Sequence, residues 1–201
     1  MSITHLFFDV GGVLGTNGWD HEQRQAAFAH FGIDPAEFED RHREIVASLE
    51  AGRATLDEYL AITVFYKARS FSQGDFKAFV LSLSKPDAAA IAIARDLARS
   101  GRWRLATLNN ESEELNRHRI RLFGLAEIFG AFFTSCWLGT TKPARRIYDL
   151  ALAMSQAEPA ASVFVDDRER NLATARSLGM QTVLFTGAEK LRGDLAALGV
   201  E

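Results

Sequence analysis

Short apolar runs alternate along the chain with longer stretches in which apolar residues recur every three or four positions. Runs such as those at 6–8 and 163–165 are typical of strands buried on both faces of a sheet. The pattern predicts five strands, at 3–8, 103–108, 131–134, 162–165 and 181–185. Helices are predicted at 87–99, 113–122, 143–154, 168–178 and 188–198. Strands that alternate with helices favour right-handed βαβ units, so we predict an α/β fold with a parallel sheet flanked by helices.

Residues 17–84 break this alternation, because only helical patterns are found there. Asp34 followed by Pro35 is a typical helix start, Thr55 with Glu58 has the form of a capping box, and Ser72 opens another helical segment. We therefore predict an all-helical cap over the edge of the sheet at 17–84, inserted into a core domain that comprises 1–16 and 85–201.

Composition excludes several classes of protein. The net charge of −3 and the pI near 6.0 argue against a nucleic-acid partner, which would need a basic face. No apolar stretch approaches the roughly 20 residues of a membrane span, and no secretory signal is recognisable. We expect a cytoplasmic protein without membrane partners, as a monomer or homodimer. The single Cys136 excludes an internal disulfide, and we expect it in a packed strand.

Polar residues with chemical potential follow the predicted strands. Asp9 follows the first strand, Asn109 the second and Asp166-Asp167 the fourth, while Lys142 comes a few residues after the third. Each alone is compatible with an ordinary turn, cap or surface residue. Ligands of parallel sheets, however, bind at the carboxyl ends of the strands, where all of these would meet. Carboxylates suit Mg²⁺, and a lysine with amide donors suits a phosphoryl group.

The segments that carry these residues resemble, in order, the four motifs of the haloacid dehalogenase (HAD) superfamily. FFDVGGVL at 7–14 resembles motif I, LNNES at 108–112 motif II, Lys142-Pro143 motif III, and VDDRERN at 165–171 motif IV. The helical segment lies where this family inserts its C1 cap. The resemblance spans the whole chain and is greatest to subfamily IA, which includes small sugar-phosphate phosphatases. It implies a Rossmannoid core and a Mg²⁺-dependent hydrolase.

The resemblance also implies a role for each residue. Asp9 is the nucleophile and a metal ligand, and Lys142 neutralises the nucleophile and the phosphate. The carbonyl of Gly11 and the carboxylates of Asp166 and Asp167 complete the metal site, with the choice of direct ligand between the two aspartates open. The expected contacts to the phosphoryl group are Asn109, Asn110 and the backbone at Gly11 and Gly12.

One position departs from the family pattern. The second aspartate of motif I, which protonates the leaving group and later activates water, is replaced by Gly11. Such acid–base help is worth roughly 10²–10⁴-fold in rate. Asp20, His21 and Arg24 could replace it by position, although residues at a helix start are more often exposed. The cap should select the substrate, and its candidate contacts are Trp19, Arg53, Tyr66 and Lys67, although Arg53 is more typical of a capping or surface residue and Tyr66 of the cap's own core.

Three hypotheses of function follow. The favoured one is a Mg²⁺-dependent phosphatase that hydrolyses a small phosphorylated metabolite, such as a sugar phosphate, through an aspartyl-phosphate. A 2-haloacid dehalogenase would also use Asp9 but needs no metal, and those enzymes usually carry an aromatic residue at the position of Gly11. A non-catalytic protein that binds a phosphorylated ligand is the third, because Gly11 and Asn109 both depart from the pattern.

Overall fold

The computed structural model describes residues 2–201 and contains a five-stranded sheet in which all neighbouring strands are parallel. The strands are β1 (His5–Phe8), β2 (Arg104–Asn109), β3 (Ala131–Thr134), β4 (Ser162–Asp166) and β5 (Gln181–Leu184). Their order is β3-β2-β1-β4-β5. The chain therefore builds outward from β1 in one direction and then returns to its other side, so that the topological switch point lies at the carboxyl end of β1. The predicted α/β fold is confirmed.

Ten α-helices accompany the sheet in the described part of the chain, and none of them is long and apolar enough to cross a membrane. They are α1 (His21–Phe31), α2 (Pro35–Glu50), α3 (Leu56–Thr63), α4 (Gln73–Ser82), α5 (Ala88–Ser100), α6 (Glu113–Leu122), α7 (Ser135–Leu138), α8 (Arg145–Ser155), α9 (Glu169–Ser177) and α10 (Ala188–Ala197).

The central strands are buried on both faces because successive side chains enter different hydrophobic clusters. Leu6 and Phe8 pack on the face covered by α5 and α10, whereas Phe7 packs on the opposite face with residues of α8 and α9. Val163 and Phe164 of β4 divide in the same way. This period of two over continuous apolar runs is expected for strands covered by helices on both sides.

Helices α1 to α4 form a hydrophobic cluster of their own, which includes Trp19, Phe38, Tyr59 and Phe76. The capping box predicted at Thr55 is present at the start of α3. Leu115 of α6 is buried in the same cluster, and so it attaches the helical segment to the sheet side of the molecule. The exact boundaries of the cap, at 17 and 84, stay a prediction.

The two connections between the helical segment and the core lie side by side. The N–H of Thr16 donates to the carbonyl of Lys85 at 2.9 Å, and the N–H of Asp87 donates to that of Leu14 at 2.9 Å. Gly15 lies between them opposite Pro86. The chain thus leaves the core and re-enters it through one short antiparallel ladder.

Cys136 does not lie in a strand, and that expectation was wrong. It is half-buried in α7, directly after β3, because the chain turns into a single helical turn at Ser135. Burial raises the pKa of the Cys136 thiol to about 12, so the thiolate required for nucleophilic chemistry is disfavoured.

We expect Gly15→Ala to destabilise the fold. A Cβ at this position would lie 2.6 Å from the carbonyl oxygen of Lys85 and 2.7 Å from the ring of Phe123, and overpacking of this kind costs about 1–3 kcal/mol. Gly193→Ala is the matched control, because it is exposed in α10 with open space around it. This control should gain roughly 0.5–1 kcal/mol. Urea unfolding of both variants tests the prediction, which fails if Gly15→Ala is as stable as the parent.

Candidate active site

The side chain of Lys142 lies between two carboxylates at the carboxyl end of the sheet. Its Nζ atom is 2.9 Å from Oδ2 of Asp9 and 2.6 Å from Oδ2 of Asp166. All three residues are buried. Asp9 follows β1 and Asp166 ends β4, and because these strands are neighbours their ends bring both carboxylates to one ammonium group. Sequence reasoning expected these residues at one edge of the sheet, and the structure places them in direct contact.

The backbone of Lys142 is held by the amide side chain of Asn110. The Lys142 N–H donates to Oδ1 of Asn110 at 2.8 Å, and Nδ2 of Asn110 donates to the Lys142 carbonyl at 2.9 Å. This two-bond clamp joins the loop after β2 to the loop before α8. It fixes the point from which the lysine side chain reaches Asp9, so Asn110 acts on Lys142 as well as lining the site.

Three carboxylates cluster around this lysine. Asp9, Asp166 and Asp167 each offer an oxygen within 4.8 Å of the others. Both oxygens of Asp166 accept hydrogen bonds, from Asn171, from the N–H of Arg168 and from Lys142. Oδ1 of Asp167, in contrast, is buried without a hydrogen-bond partner. An orphaned carboxylate oxygen beside two further carboxylates fits a hard divalent cation.

Burial and like charge act on these carboxylates in the absence of a cation. Burial raises the pKa of Asp9 to about 7, with Asp166 adding to the rise and Lys142 opposing it. Burial and the neighbouring Asp166 also raise the pKa of Asp167. Lys142 and, 3.9 Å from Asp167, Arg168 offset two of these three acidic groups, and a bound cation would relieve the remaining negative charge.

The two glycines of the loop after Asp9 have different reasons to be glycine. Gly12 has a φ of 80°, and a Cβ there would overlap the carboxylate of Asp167. Its N–H already donates to the carbonyl of Gly15 at 2.8 Å, which leaves no free donor for a substrate. A Cβ on Gly11 would meet nothing closer than 3.5 Å. Position 11 thus has space for a side chain that this sequence omits.

The space at position 11 is faced by a buried arginine. Nη1 of Arg119 lies 3.5 Å from the place of a Cβ on Gly11 and 3.5 Å from Oε2 of Glu111, and it has no hydrogen-bond partner. Nη2 of the same guanidinium donates to the carbonyl of Asn17 at 3.0 Å. Burial raises the pKa of Glu111 to about 7, although Arg119 opposes the rise.

A small cavity of about 120 Å³ opens onto Asp9. Three cationic side chains, of Lys142, Arg168 and Arg170, face it together with two carboxylates, of Asp9 and Glu50. The excess of positive charge at its wall suits an anion. The remaining lining residues are Gly11, Asn17, Gly18, Asn110 and Asn171.

A larger cavity of about 270 Å³ lies between the helical segment and the core. Trp19, at a φ of 45°, and His42 line it and are joined through Tyr59, because the indole N–H donates to the Tyr59 oxygen at 2.8 Å while that hydroxyl lies 2.7 Å from Nδ1 of His42. Burial lowers the pKa of His42 to about 4, which favours the neutral imidazole at neutral pH. Gly18, Glu50 and Arg168 line both cavities.

Asn109 is not brought to the small cavity. Its buried amide donates to Oδ1 of Asn116 at 3.1 Å and accepts from the Thr134 hydroxyl at 3.1 Å. These neighbours on α6 and β3 turn the side chain away from the site. The expected contact of Asn109 with a phosphoryl group has no support in this geometry, and Asn110 is the motif II side chain at the cavity wall.

The candidate residues of the helical segment fall into two groups, those that line a cavity and those that do not. Trp19, Asp20, His21 and Arg24 all line the larger cavity, although none of them lines the small one. Tyr66 and Lys67 contact Glu37 at the surface of the helical segment, and Arg53 is exposed. These three residues lie outside both cavities.

Sequence reasoning missed Glu50, Glu111 and Arg119. Glu50 lies at the end of α2, about forty positions from the nearest motif, and only the docking of that helix end brings it to Asp9. Glu111 directly follows the asparagine pair of motif II, which is the one signal that could have drawn attention to it. Arg119 lies two turns further along α6, on the same face as Asn116.

Comparison with known proteins agrees with this geometry. Residues 3–179 match the haloacid dehalogenase-like hydrolases. A 68-residue segment is 35% identical to flavin mononucleotide hydrolase 1 of Arabidopsis thaliana, covering 34% of this chain and 28% of the plant protein. The matched segment therefore covers less than a third of that relative's length.

Two solved structures share the fold. A HAD family enzyme from Bacteroides thetaiotaomicron, in complex with magnesium and inorganic phosphate, superimposes with a TM-score of 0.74 at 20% identity, over 90% of this chain and 93% of that one. An L-2-haloacid dehalogenase superimposes with a TM-score of 0.64 at 18% identity, over 90% and 83%. The profile match over most of the sequence and the parallel sheet lead to one conclusion: the chain belongs to the haloacid dehalogenase-like hydrolase family.

Proposed function

We propose that this hydrolase is a Mg²⁺-dependent phosphatase of a small phosphorylated metabolite, and that it acts through an aspartyl-phosphate on Asp9. The observation that carries the proposal is the small cavity lined by Asp9, whose wall has more cationic than anionic side chains, together with the nearby carboxylate of Asp167, which has an oxygen without a hydrogen bond. A similar fold has been solved with magnesium and phosphate bound, which supports the same chemistry.

The reaction has two displacements. In the first, a carboxylate oxygen of Asp9 attacks phosphorus, and the bond from phosphorus to the leaving-group oxygen breaks. In the second, water attacks the aspartyl-phosphate, the bond between phosphorus and the Asp9 oxygen breaks, and inorganic phosphate leaves. Lys142 holds Asp9 in place and offsets the negative charge that two anions bring together.

The residues present fit a magnesium ion. Asp9, Asp167 and the carbonyl of Gly11 would hold it, with Asp166 oriented by Asn171 and Lys142 close behind. When bound, Mg²⁺ polarises the phosphoryl oxygens and neutralises charge. Arg168, Arg170, Asn110 and Lys142 face the space that the phosphoryl group would take.

A second candidate function rests on the missing side chain at position 11. A protein that binds a phosphorylated ligand without turning it over needs the cationic cavity but no proton donor at that position. A dehalogenase has less support, because it needs neither the orphaned oxygen of Asp167 nor a cavity wall with three cations. Turnover of an activated aryl phosphate separates these functions.

We expect wild-type protein with Mg²⁺ to release phosphate from 4-nitrophenyl phosphate, and Asp9→Asn to lose this activity by on the order of 10⁴-fold or more, because the nucleophile is removed. Asp40→Asn is the matched control, since Asp40 is 73% exposed on α2, and it should retain full activity. Absence of release by the wild type with any divalent metal would contradict the phosphatase. Halide release from a 2-haloacid without metal would then favour the dehalogenase.

We expect Asp167→Asn to weaken the binding of Mg²⁺, because it removes the charge from the carboxylate whose Oδ1 has no hydrogen bond. The Mg²⁺ concentration that gives half-maximal phosphate release should rise by at least about 10-fold. Thermal unfolding with increasing Mg²⁺ provides a second readout, in which the wild type gains stability at concentrations where the variant does not. Equal half-saturation in both proteins would exclude Asp167 as a metal ligand.

A further inference from the structure

The proposed reaction requires an acid that protonates the leaving-group oxygen. Related enzymes carry an aspartate for this purpose at the position that Gly11 occupies in this chain. When the bond from phosphorus breaks, the leaving-group oxygen becomes an alkoxide unless an acid protonates it, and such help is worth roughly 10²–10⁴-fold. Position 11 has no side chain, and the group that faces it is the guanidinium of Arg119. An arginine keeps its protons at any working pH and cannot act as the acid.

The two cavities locate the oxygen that needs the proton. The phosphoryl group fits the small cavity at Asp9, and the rest of a metabolite fits the larger one beside it. The oxygen that joins them must lie where the cavities meet. Gly18, Glu50 and Arg168 line both cavities, and Glu50 is the one of these three that can donate and accept a proton.

We propose that Glu50 is the general acid and base of this enzyme, supplied by the helical segment in place of the aspartate missing at position 11. The inference rests on the proposed phosphatase function. In the first displacement the Glu50 carboxyl gives its proton to the leaving-group oxygen as the bond to phosphorus breaks. In the second, the Glu50 carboxylate takes a proton from the attacking water, and the carboxyl group is restored.

The end of α2 is anchored well enough to position an acid. The carbonyl of Glu50 accepts a hydrogen bond from the Ser135 hydroxyl at 2.6 Å. Two residues on, Gly52 packs so closely on the carbonyl of Cys136 that a Cβ would overlap it. Both contacts join the helical segment to the core at α7. Glu50 therefore reaches the small cavity from a fixed backbone position.

The surroundings of Glu50 favour a carboxyl group that keeps its proton. Burial raises the pKa of Glu50, although Arg168 and Arg170 oppose the rise. Glu50 is also the last residue of α2, where the partial negative charge of the helix end disfavours a carboxylate. Proximity of the two arginines then stabilises the carboxylate that forms once the proton has been transferred.

Glu111 is the rival acid, and its position argues against it. It lines the larger cavity only, and its carboxylate lies against Arg119 and Gly18. An acid there would face the body of the leaving group, whereas Glu50 also faces the space beside Asp9.

The test compares two aryl phosphates that differ mainly in how readily their phenol leaves without protonation. In single-turnover measurements with Mg²⁺, we expect Glu50→Gln to slow the release of phenol from phenyl phosphate by about 10²–10⁴-fold. Release from 4-nitrophenyl phosphate should fall by less than about 10-fold, because its better leaving group needs little protonation. Glu44→Gln, an exposed glutamate on the same helix, is the matched control and should leave both rates unchanged.

The outcomes separate this inference from the function on which it rests. A steeper dependence on leaving group in Glu50→Gln alone supports Glu50 as the acid. A parallel loss with both substrates would assign Glu50 to binding, and unchanged rates would leave it without a role; either overturns the inference while the phosphatase stands. The same steepening in Glu111→Gln, with none in Glu50→Gln, would overturn it in favour of Glu111. No release by the wild type would overturn the phosphatase and this inference together.

Discussion

The buried ammonium of Lys142 between Asp9 and Asp166 is the interaction on which the site depends. Buried charges are costly unless they are paired, and removing one partner of such a pair typically costs about 3–5 kcal/mol. Three features of the fold position this contact. The sheet order places the ends of β1 and β4 side by side. Two hydrogen bonds from the Asn110 side chain fix the backbone of Lys142 so that its ammonium group reaches both carboxylates. Asn171 occupies the remaining lone pairs of Asp166.

The charges around this contact do not balance. Lys142 pairs with Asp9 and Asp166, whereas Oδ1 of Asp167 lacks a hydrogen bond and lies 3.9 Å from Nε of Arg168. Beyond the carboxylates, the cationic side chains of Arg168 and Arg170 line the cavity that opens toward the helical segment. The aspartates at the ends of the strands thus suit a cation, and the arginines at the cavity wall suit an anion close by. A phosphoryl group with a metal ion matches both sets of charges.

The sequence was most informative where local pattern decides the outcome. The strand at 131–134 and the capping box at Thr55 were predicted as they are found, because apolar runs and capping residues act over a few positions. Asp9, Lys142 and Asp166 were also predicted as neighbours, because parallel strands bring their carboxyl ends to one edge. In each of these cases the information lies within the element or in a general rule of its packing.

Prediction was poor where a side chain's direction depends on distant neighbours. Asn109 and Asn110 are adjacent in sequence, yet Thr134 and Asn116 draw one into the interior while Lys142 draws the other to the cavity. Tyr66 and Lys67 were only candidates for contact with the substrate, and both contact Glu37 at the surface of the helical segment. Glu50 could not be found at all, because nothing near it in the sequence indicates which residue the docked helix end would present to Asp9.

The ladder at Gly15 and Pro86 has a consequence for how this fold can vary. Because the two connections lie in contact, the core meets the whole helical segment as a single closed loop, whose ends would be adjacent whatever lay between them. The entropy of closing a loop grows only with the logarithm of its length, so doubling the insertion would cost the core only about 0.6 kcal/mol. The length of the helical segment, and with it the size of the larger cavity, therefore has little effect on the free energy of folding of the core. The helical segment that lines the larger cavity can thus change in length while the charged residues at the strand ends stay as they are.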